Sequence, residues 1–290
     1  MTSPGAAAAA PCLALDIGGT KADAAVVTRE GVVLRRERLD VKASGEHLFE
    51  DIVGLLARVR GSDDVSALGV ACAGPMTRGG ATVSPLNIPV WRDFPLRGEL
   101  HEATGLAVEV DGDVRALALA EGTFGAARGV SSYASLVVST GVGGALVIDG
   151  HLLNGASGNA GHIGHLNVVP GGRLCSCGAR GCLEAEASGW AISEMTGRAP
   201  EYADEVTRRR TATLVGRAIG TLASVLDFTH CFIAGSVALG FGEDFFTSAE
   251  AGAREMATIV YSRSLELRPS GLGGEGPILG AACVAWRVPR

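Results

Sequence analysis

A strand, a glycine turn and a return strand occur twice in this chain, once in each half, and that recurrence restricts the fold more than any single residue does. The apolar run Cys12 to Ile17 breaks at Gly18-Gly19 and resumes from Ala24 to Thr28; Glu30-Gly31 then turns the chain into Val32-Val33-Leu34. The first forty residues therefore read as a three-stranded antiparallel meander. Far downstream the pattern restarts. Ser135 to Ser139 leads into Thr140-Gly141-Val142-Gly143-Gly144, returns as Ala145 to Ile148, and turns again at Asp149-Gly150 into His151-Leu152-Leu153.

Helices and strands alternate after each meander. In the first half, apolar spacing predicts a helix over 47–59, a buried strand over 67–72, a helix over 94–103, a strand over 107–110 and a helix over 114–124. In the second half, residues 154–181 read as loop, helical spacing resumes over 184–195 and 213–226, and a strand over 231–234 precedes a Gly-Ser turn and another helix. Such a duplication predicts two similar α/β domains with a cleft between them and a hinge near residues 113–130.

Composition removes other classes. No run approaches about 20 strongly apolar residues, which excludes a membrane-spanning helix. The formal net charge is −6, from 25 Lys plus Arg against 31 Asp plus Glu. No stretch gathers cations as a phosphate-tracking surface would, so nucleic acid is not the expected partner. The N-terminal Ala-rich stretch lacks the positive and Leu-rich regions of a signal peptide, and residues 1–11 read as a frayed tail of a cytoplasmic protein.

Asp16-Ile17-Gly18-Gly19-Thr20-Lys21 places a carboxylate at the end of a buried strand, followed by a turn without bulk. Backbone N–H groups at such a turn can approach a polyphosphate, Thr20 adds a hydroxyl, and Asp16 suits the water shell of Mg²⁺. The second turn, with Thr140, Gly141 and Gly143, has the same composition. Two of them, one per half, match a nucleotide held by both domains. A Walker A loop is absent, and a dinucleotide fingerprint needs a helix where Gly143-Gly144 runs into a strand.

Seven cysteines divide into two kinds. Cys12, Cys72, Cys231 and Cys283 stand singly among apolar residues and read as buried thiols, whereas Cys175, Cys177 and Cys182 are bunched behind His165. One imidazole and three thiolates suit tetrahedral zinc, and four protein ligands leave no open position, so the metal is expected to be structural.

Together, Asp16 to Lys21, the Ser139 to Gly144 turn, Gly161-His162-Ile163-Gly164-His165, and the run from Cys175 to Glu184 (CSCGARGCLE) resemble the signature set of the ROK family of repressors, open reading frames and sugar kinases. The resemblance runs from about residue 12 to the C-terminus. It implies a two-lobed, actin-like (ribonuclease-H-like) ATPase fold, with residues 12–115 plus about 276–290 in one lobe and 116–275, including the zinc loop, in the other. It further implies transfer of the γ-phosphate of ATP to a sugar hydroxyl. By position, Asp113 resembles the catalytic base, and Asn87, Gly112, His162, His165 and Glu184 occupy sugar-contact positions, His165 serving zinc and sugar alike. Gly235-Ser236 resembles the adenosine-side turn, while Asp16, Gly18, Gly19, Thr20 and Lys21 join Thr140, Gly141 and Gly143 around the phosphates and Mg²⁺. Homodimers are common in that family. Its repressors carry an additional DNA-binding domain, for which a chain starting its first strand at Cys12 leaves no room.

Two departures bear on substrate. The family usually has Asn immediately before the catalytic Asp, where this chain has Gly112, and His162 stands where glucokinase-type members have Glu. His162 is similar to N-acetylmannosamine kinases, which keep the Asn. The expectation is an ATP- and Mg²⁺-dependent kinase for the 6-hydroxyl of a hexose or amino-hexose, of N-acetylmannosamine, kanosamine or glucose type. Asp111 or Arg115 is expected to replace the missing contact, with Asp111 available to an ammonium. The competing expectation is a sugar sensor of the same family without catalysis, and polyphosphate could stand in for ATP as donor.

Overall fold

The computed structural model describes residues 10–287; most of the expected N-terminal tail lies outside the described residues. The described residues divide into two compact units, 10–119 with 274–287, and 120–273.

The first unit is built on a sheet of order β3-β2-β1-β4-β5. Its central strand β1 (Cys12–Ile17) pairs antiparallel with β2 (Lys21–Val27), which pairs with β3 (Val33–Asp40), and parallel with β4 (Leu68–Cys72), which continues in parallel to β5 (Val108–Gly112). β1 is apolar at every position but Asp16 because both of its faces are covered. Leu13, Leu15 and Ile17 share a core with Leu48, Ile52, Leu55, Leu56 and Val59 of α2 (Leu48–Arg60), which follows the one-turn α1 (Val41–Ser44). On the alternate face, Cys12 Sγ donates to the carbonyl of Ala282 in the last helix (3.9 Å). The strand opposite that helix has no room for a side chain at Gly69, where a Cβ would stand 2.0 Å from the Ala281 oxygen. Helices α3 (Leu96–Thr104) and α4 (Asp113–Thr123) flank β5.

The second unit repeats the plan. Its sheet has the order β10-β9-β6-β7-β8: β6 (Tyr133–Val138), β7 (Val142–Ile148) and β8 (His151–Leu152) form the antiparallel part, and β9 (His230–Ala234) and β10 (Glu266–Pro269) extend it in parallel. Strand for strand this is the order of the first sheet, so the duplication in the sequence is a duplication of topology.

Several boundaries differ from the spacing. The helix expected over 184–195 is two: α5 (Leu183–Ala187) ends at Ser188, whose side chain accepts from the Ala191 amide (3.0 Å) and starts α6 (Gly189–Thr196). The next helix, α7 (Glu205–Leu226), begins eight residues before the expected 213, because Asp204 caps it at the Thr207 amide (2.8 Å) and its first turns are charged rather than apolar. β3 runs to Asp40 as a polar edge strand, beyond the expected Leu34. After β9 come α8 (Ser236–Gly240) and α9 (Glu243–Met256), and α10 (Gly276–Ala285) closes the first unit. α7 and α9 approach closely through Gly216, Gly220 and Gly252, each of which faces partner backbone within 2.5 Å of where a Cβ would stand.

Candidate active site

In the first unit the parallel strands β1, β4 and β5 end side by side, Ile17 opposite Cys72 and Cys72 opposite Gly112. Asp16 and Asp113 are thereby brought to one edge of the sheet. Asp16 is pushed up to about 7, first by burial, then by the neighbouring carboxylates Asp113 and Asp23. Asp23 lies directly across the β1–β2 pair from Asp16 and is itself buried. Despite burial it is held below the usual carboxylate range, because Arg38 (2.7 Å) and Arg36 (3.1 Å) bond it. The edge thus carries one carboxylate held by two arginines, beside Asp16 and Asp113.

The turn after β1 is a short hairpin in which Gly18 N donates to the Lys21 carbonyl (3.0 Å) and the Thr20 carbonyl accepts from Val41 (3.0 Å). A side chain at Gly19 would strike Asn87, whose Cβ lies 2.4 Å from the place of a Gly19 Cβ. The glycine lets the Pro85-Leu86-Asn87 segment lie on the turn, and so gathers Gly18, Gly19, Thr20, Lys21 and Asn87. Asp113 opens α4, is exposed, and accepts from the Val114 amide (2.8 Å).

Asp111 does not serve as the sequence suggests. It is buried, and its two oxygens are bonded by Arg115 Nε and Arg287 Nη1, each at 2.5 Å, with the Gly112 amide at 2.8 Å on the first. A buried carboxylate shared by two guanidiniums already has its charge offset, which weakens the expected pairing with the ammonium of kanosamine.

In the second unit the turn between β6 and β7 is tighter than its glycines imply. Only residues 139–141 form it; Gly143 lies in β7 opposite Val137, and Gly144 opposite Leu136. Gly143 therefore stands in the strand rather than in the phosphate turn where the sequence places it. The carbonyls of Ser139, Thr140 and Gly141 are all occupied, accepting from Gly189 (2.7 Å), Trp190 (3.1 Å) and Ser139 (2.9 Å). That leaves the amides of Thr140 and Gly141 as the turn's backbone groups for an anion. Beside it, at the end of β9, Gly235 has φ +102 and backs onto Val138, and the Ser236 hydroxyl bonds that of Ser139 (3.0 Å). A cavity of about 350 Å³ opens here, lined among others by Thr140, Trp190, Pro200, Ser236 and Phe241.

The segment 161–165 lies on β7 because its glycines permit it. A Cβ at Gly161 would stand 2.7 Å from the Gly144 oxygen, one at Gly164 2.1 Å from the Val142 oxygen, and Ile163 fills the space over Gly144. This presents exposed His162 and His165, their rings stacked at 6.0 Å. Downstream, Leu174 and Arg180 bridge a small hairpin that carries the cysteines, and Asn167 bridges Cys182. His165 Nδ1 lies 3.6 Å from Cys175 Sγ and Cys177 Sγ 3.7 Å from Cys182 Sγ; the four donor atoms all fall within 4.8 Å of one another. Tetrahedral zinc with ordinary bond lengths requires about 3.6 Å between N and S and about 3.8 Å between two sulfurs. The donor set fits that ion. Glu184, in the first turn of α5, accepts from the Val142 amide at Oε2 (3.0 Å), and so joins the cysteine loop to the 139–141 turn.

Sequence reasoning missed Asp23, Trp190 and Glu186. The register of the first hairpin would have placed Asp23 opposite Asp16. Trp190 is half exposed beside Thr140, and no local motif marks it. Buried Glu186 ties the loop to α7 by accepting from Arg173 N (2.7 Å) and pairing with Arg210.

Two duplicated mixed α/β sheets whose strand ends carry glycine turns define the actin-like ATPase class of fold. The ROK family model matches residues 12–287, and the chain belongs to that family. It is 32% identical to N-acetylmannosamine kinase of Haemophilus influenzae over 93% of this chain and 94% of the relative. Among solved structures it is similar to the ROK hexokinase of Thermus thermophilus (TM-score 0.84, 32% identity, 96% and 98% of the two chains). It is also similar to a ROK glucokinase of Streptomyces griseus in complex with glucose and AMPPNP (TM-score 0.81, 29% identity, 96% and 99%). These relatives are sugar kinases, and they support a sugar kinase using ATP here. No helix among the described residues is long and apolar enough to cross a membrane.

Proposed function

We propose that this protein transfers the γ-phosphate of ATP to the 6-hydroxyl of a hexose or N-acylated hexosamine, with Asp113 as general base. The observation that carries the reading is the placement of Asp16 and Asp113, whose carboxylates act on one another, at the ends of β1 and β5 beside the Gly18–Lys21 turn and Asn87. In the reaction the Asp113 carboxylate accepts the proton of the sugar hydroxyl, that oxygen bonds to the γ-phosphorus, and the bond from phosphorus to the β-bridging oxygen breaks to release ADP. A positioned base contributes about 10² to 10⁴-fold to such a step. Asp16 would hold Mg²⁺ through its water shell; the ion, when bound, offsets charge on the phosphates.

In the second unit, the amides of Thr140 and Gly141 and the Ser236 hydroxyl are the donors for phosphate oxygens. The cavity beside them, walled by Trp190 and Phe241, is of the size and polarity for adenosine. His162, His165 and Glu184 face the sugar in this reading. Zinc on His165, Cys175, Cys177 and Cys182 would fix the loop that presents them, with no coordination position left for substrate. Departures at Gly112 and His162 act on the choice of sugar rather than on transfer.

A coupled assay of ADP release over glucose, mannose, N-acetylglucosamine, N-acetylmannosamine and their free-amino counterparts tests the proposal, with product phosphorylation mapped by NMR. Calorimetry that finds sugar binding without ATP binding or turnover would replace the kinase by the sensor. Transfer from polyphosphate in place of ATP would change the donor alone.

A further inference from the structure

Gly280 brings the last helix of the first unit onto the start of α4, since a Cβ there would stand 2.7 Å from the carbonyl carbon of Ala116. From that contact α10 runs on to Trp286 and Arg287, whose amides still donate back to the carbonyls of Ala282 (3.3 Å) and Val284 (3.1 Å). The Arg29 guanidinium, from the turn between β2 and β3, lies over the Trp286 ring at 5.1 Å. Arg287 is thereby held at its root, and its Nη1 reaches Asp111 Oδ2 at 2.5 Å. Asp111 is buried, and its other oxygen accepts from both Arg115 Nε (2.5 Å) and the Gly112 amide (2.8 Å). That amide belongs to the corner where β5 becomes α4, immediately before Asp113.

We propose that Arg287 is a positioning residue for Asp113: by holding Asp111 it fixes the glycine corner from which the base projects. The inference rests on the proposed kinase reading. A glycine has the widest choice of backbone angles, so the corner at Gly112 keeps its shape only as far as its neighbours impose it. Arg115 ties Asp111 to α4 itself; Arg287 ties it to the end of α10, and so anchors the corner on an element outside both β5 and α4. Withdrawing Arg287 leaves a buried carboxylate short of one partner, and the corner must shift for that oxygen to find water. The bond from the Gly112 amide is disturbed with it. The effect falls on aim rather than on binding: the Asp113 oxygen has to meet the sugar hydroxyl at hydrogen-bond distance, and a misplacement of about 1 Å can cost about 10²-fold.

The test measures kcat, KM for ATP and amide exchange in the wild type, Arg287→Ala and Arg287→Lys, with the best sugar of the substrate panel. Arg287→Ala should lower kcat by about 10- to 100-fold and leave KM for ATP within about twofold. Arg287→Lys keeps a cation within reach of Asp111 and should regain most of the loss. In an Asp113→Asn background Arg287→Ala should change kcat by less than about twofold, because an effect carried by the base disappears with it. A merely structural residue would cost the same in both backgrounds. That outcome, an unaltered kcat in Arg287→Ala, or no recovery in Arg287→Lys would each overturn the assignment. Exchange at the amides of Gly112 and Val114, which bond to Asp111 and Asp113, should quicken in Arg287→Ala while β1 and α2 stay protected. If the wild type turns over no sugar, the kinase reading fails on its own and exchange still decides for Arg287: unchanged rates at Gly112 and Val114, or a rise spread evenly over the first unit, would remove it as the anchor of the corner.

Discussion

Glu184 Oε2 accepts the amide hydrogen of Val142 at 3.0 Å, so the first turn of α5 and the first residue of β7 are joined by one charge-assisted bond. The contact is tight: a side chain at Gly141 would begin 2.7 Å from that oxygen. Two residues before Glu184 stands Cys182, one of the four converging donors. Whatever fixes the cysteine loop therefore also fixes the turn whose amides face outward at Thr140 and Gly141. Glu184→Ala strands a backbone donor, at a cost of about 1–3 kcal/mol, and frees the turn. KM for ATP should rise along with KM for the sugar, while zinc content stays constant. Glu184→Gln keeps an acceptor and should recover the ATP term. A variant that affects the sugar alone would confine Glu184 to substrate contact.

Asp113→Asn keeps the size of the side chain and removes the proton acceptor. We expect kcat to fall by about 10² to 10⁴-fold with the far-UV spectrum, zinc content and ATP affinity unchanged. Retained turnover would move the base elsewhere, and within this unit Asp16 is the next carboxylate along the strand ends.

The elevation of Asp16 to about 7 gives a pH dependence with a definite sign. A carboxyl raised on folding is bound to a proton more readily in the folded than in the unfolded chain. Its contribution is fully present below its unfolded value near 3.8 and is lost as pH rises towards 7. In metal-free protein the melting temperature should therefore fall more steeply from pH 5 to pH 8 in the wild type than in Asp16→Asn. Mg²⁺ competes with that proton, so the stabilisation it confers should grow over the same interval, and only where Asp16 is present. Parallel slopes in the two proteins would show that Asp16 is not the group responsible.

Stripping metal addresses the cysteine loop. Sites of this donor type contribute roughly 10–16 kcal/mol of apparent binding free energy in small peptides, more than an irregular hairpin can retain without the ion. One zinc per chain is expected by elemental analysis. A strong chelator should raise amide exchange over residues 165–182 while leaving β1 to β5 protected, and Cys182→Ser should do the same. A chelator-resistant loop that binds no zinc would remove the metal from the reading.

How much was legible beforehand follows from how far apart in sequence the cooperating residues lie. The duplicated hairpins could be read because strand, turn and strand are contiguous, and the sheets have the same strand order in both units. The cysteine cluster could be read because three donors fall within eight residues. Asp111 could not: the Arg287 that pairs with it is 176 positions away, and a lone acidic residue beside Asp113 looks available. Trp190 reaches the Thr140 turn only because Ser188 breaks one expected helix into two. The polar strand β3 concealed its length, since an edge strand carrying Arg35, Arg36 and Arg38 shows no apolar alternation.

Glu121 offers a test of the second unit that owes nothing to substrate. It lies on α4 with no exposed surface, and its carboxylate accepts from the Ala126 amide (2.9 Å), the Gly271 amide (3.4 Å) and the Ser270 hydroxyl. One buried anion thus ties two stretches of chain about 150 positions apart, each close to where the chain passes from one unit to the other. Burial of such a charge is tolerated because three donors surround it. Glu121→Ala removes the anion and leaves those donors facing a void, whereas Glu121→Gln retains one acceptor oxygen and adds an NH₂ donor that only Ser270 can meet. Amide exchange at Ala126 and Gly271 should therefore accelerate in both variants, most in the alanine, with the amides of β1 and β2 unaffected. Exchange that rises evenly across the second unit would mean that Glu121 stabilises the unit at large and does not specifically fasten the two segments.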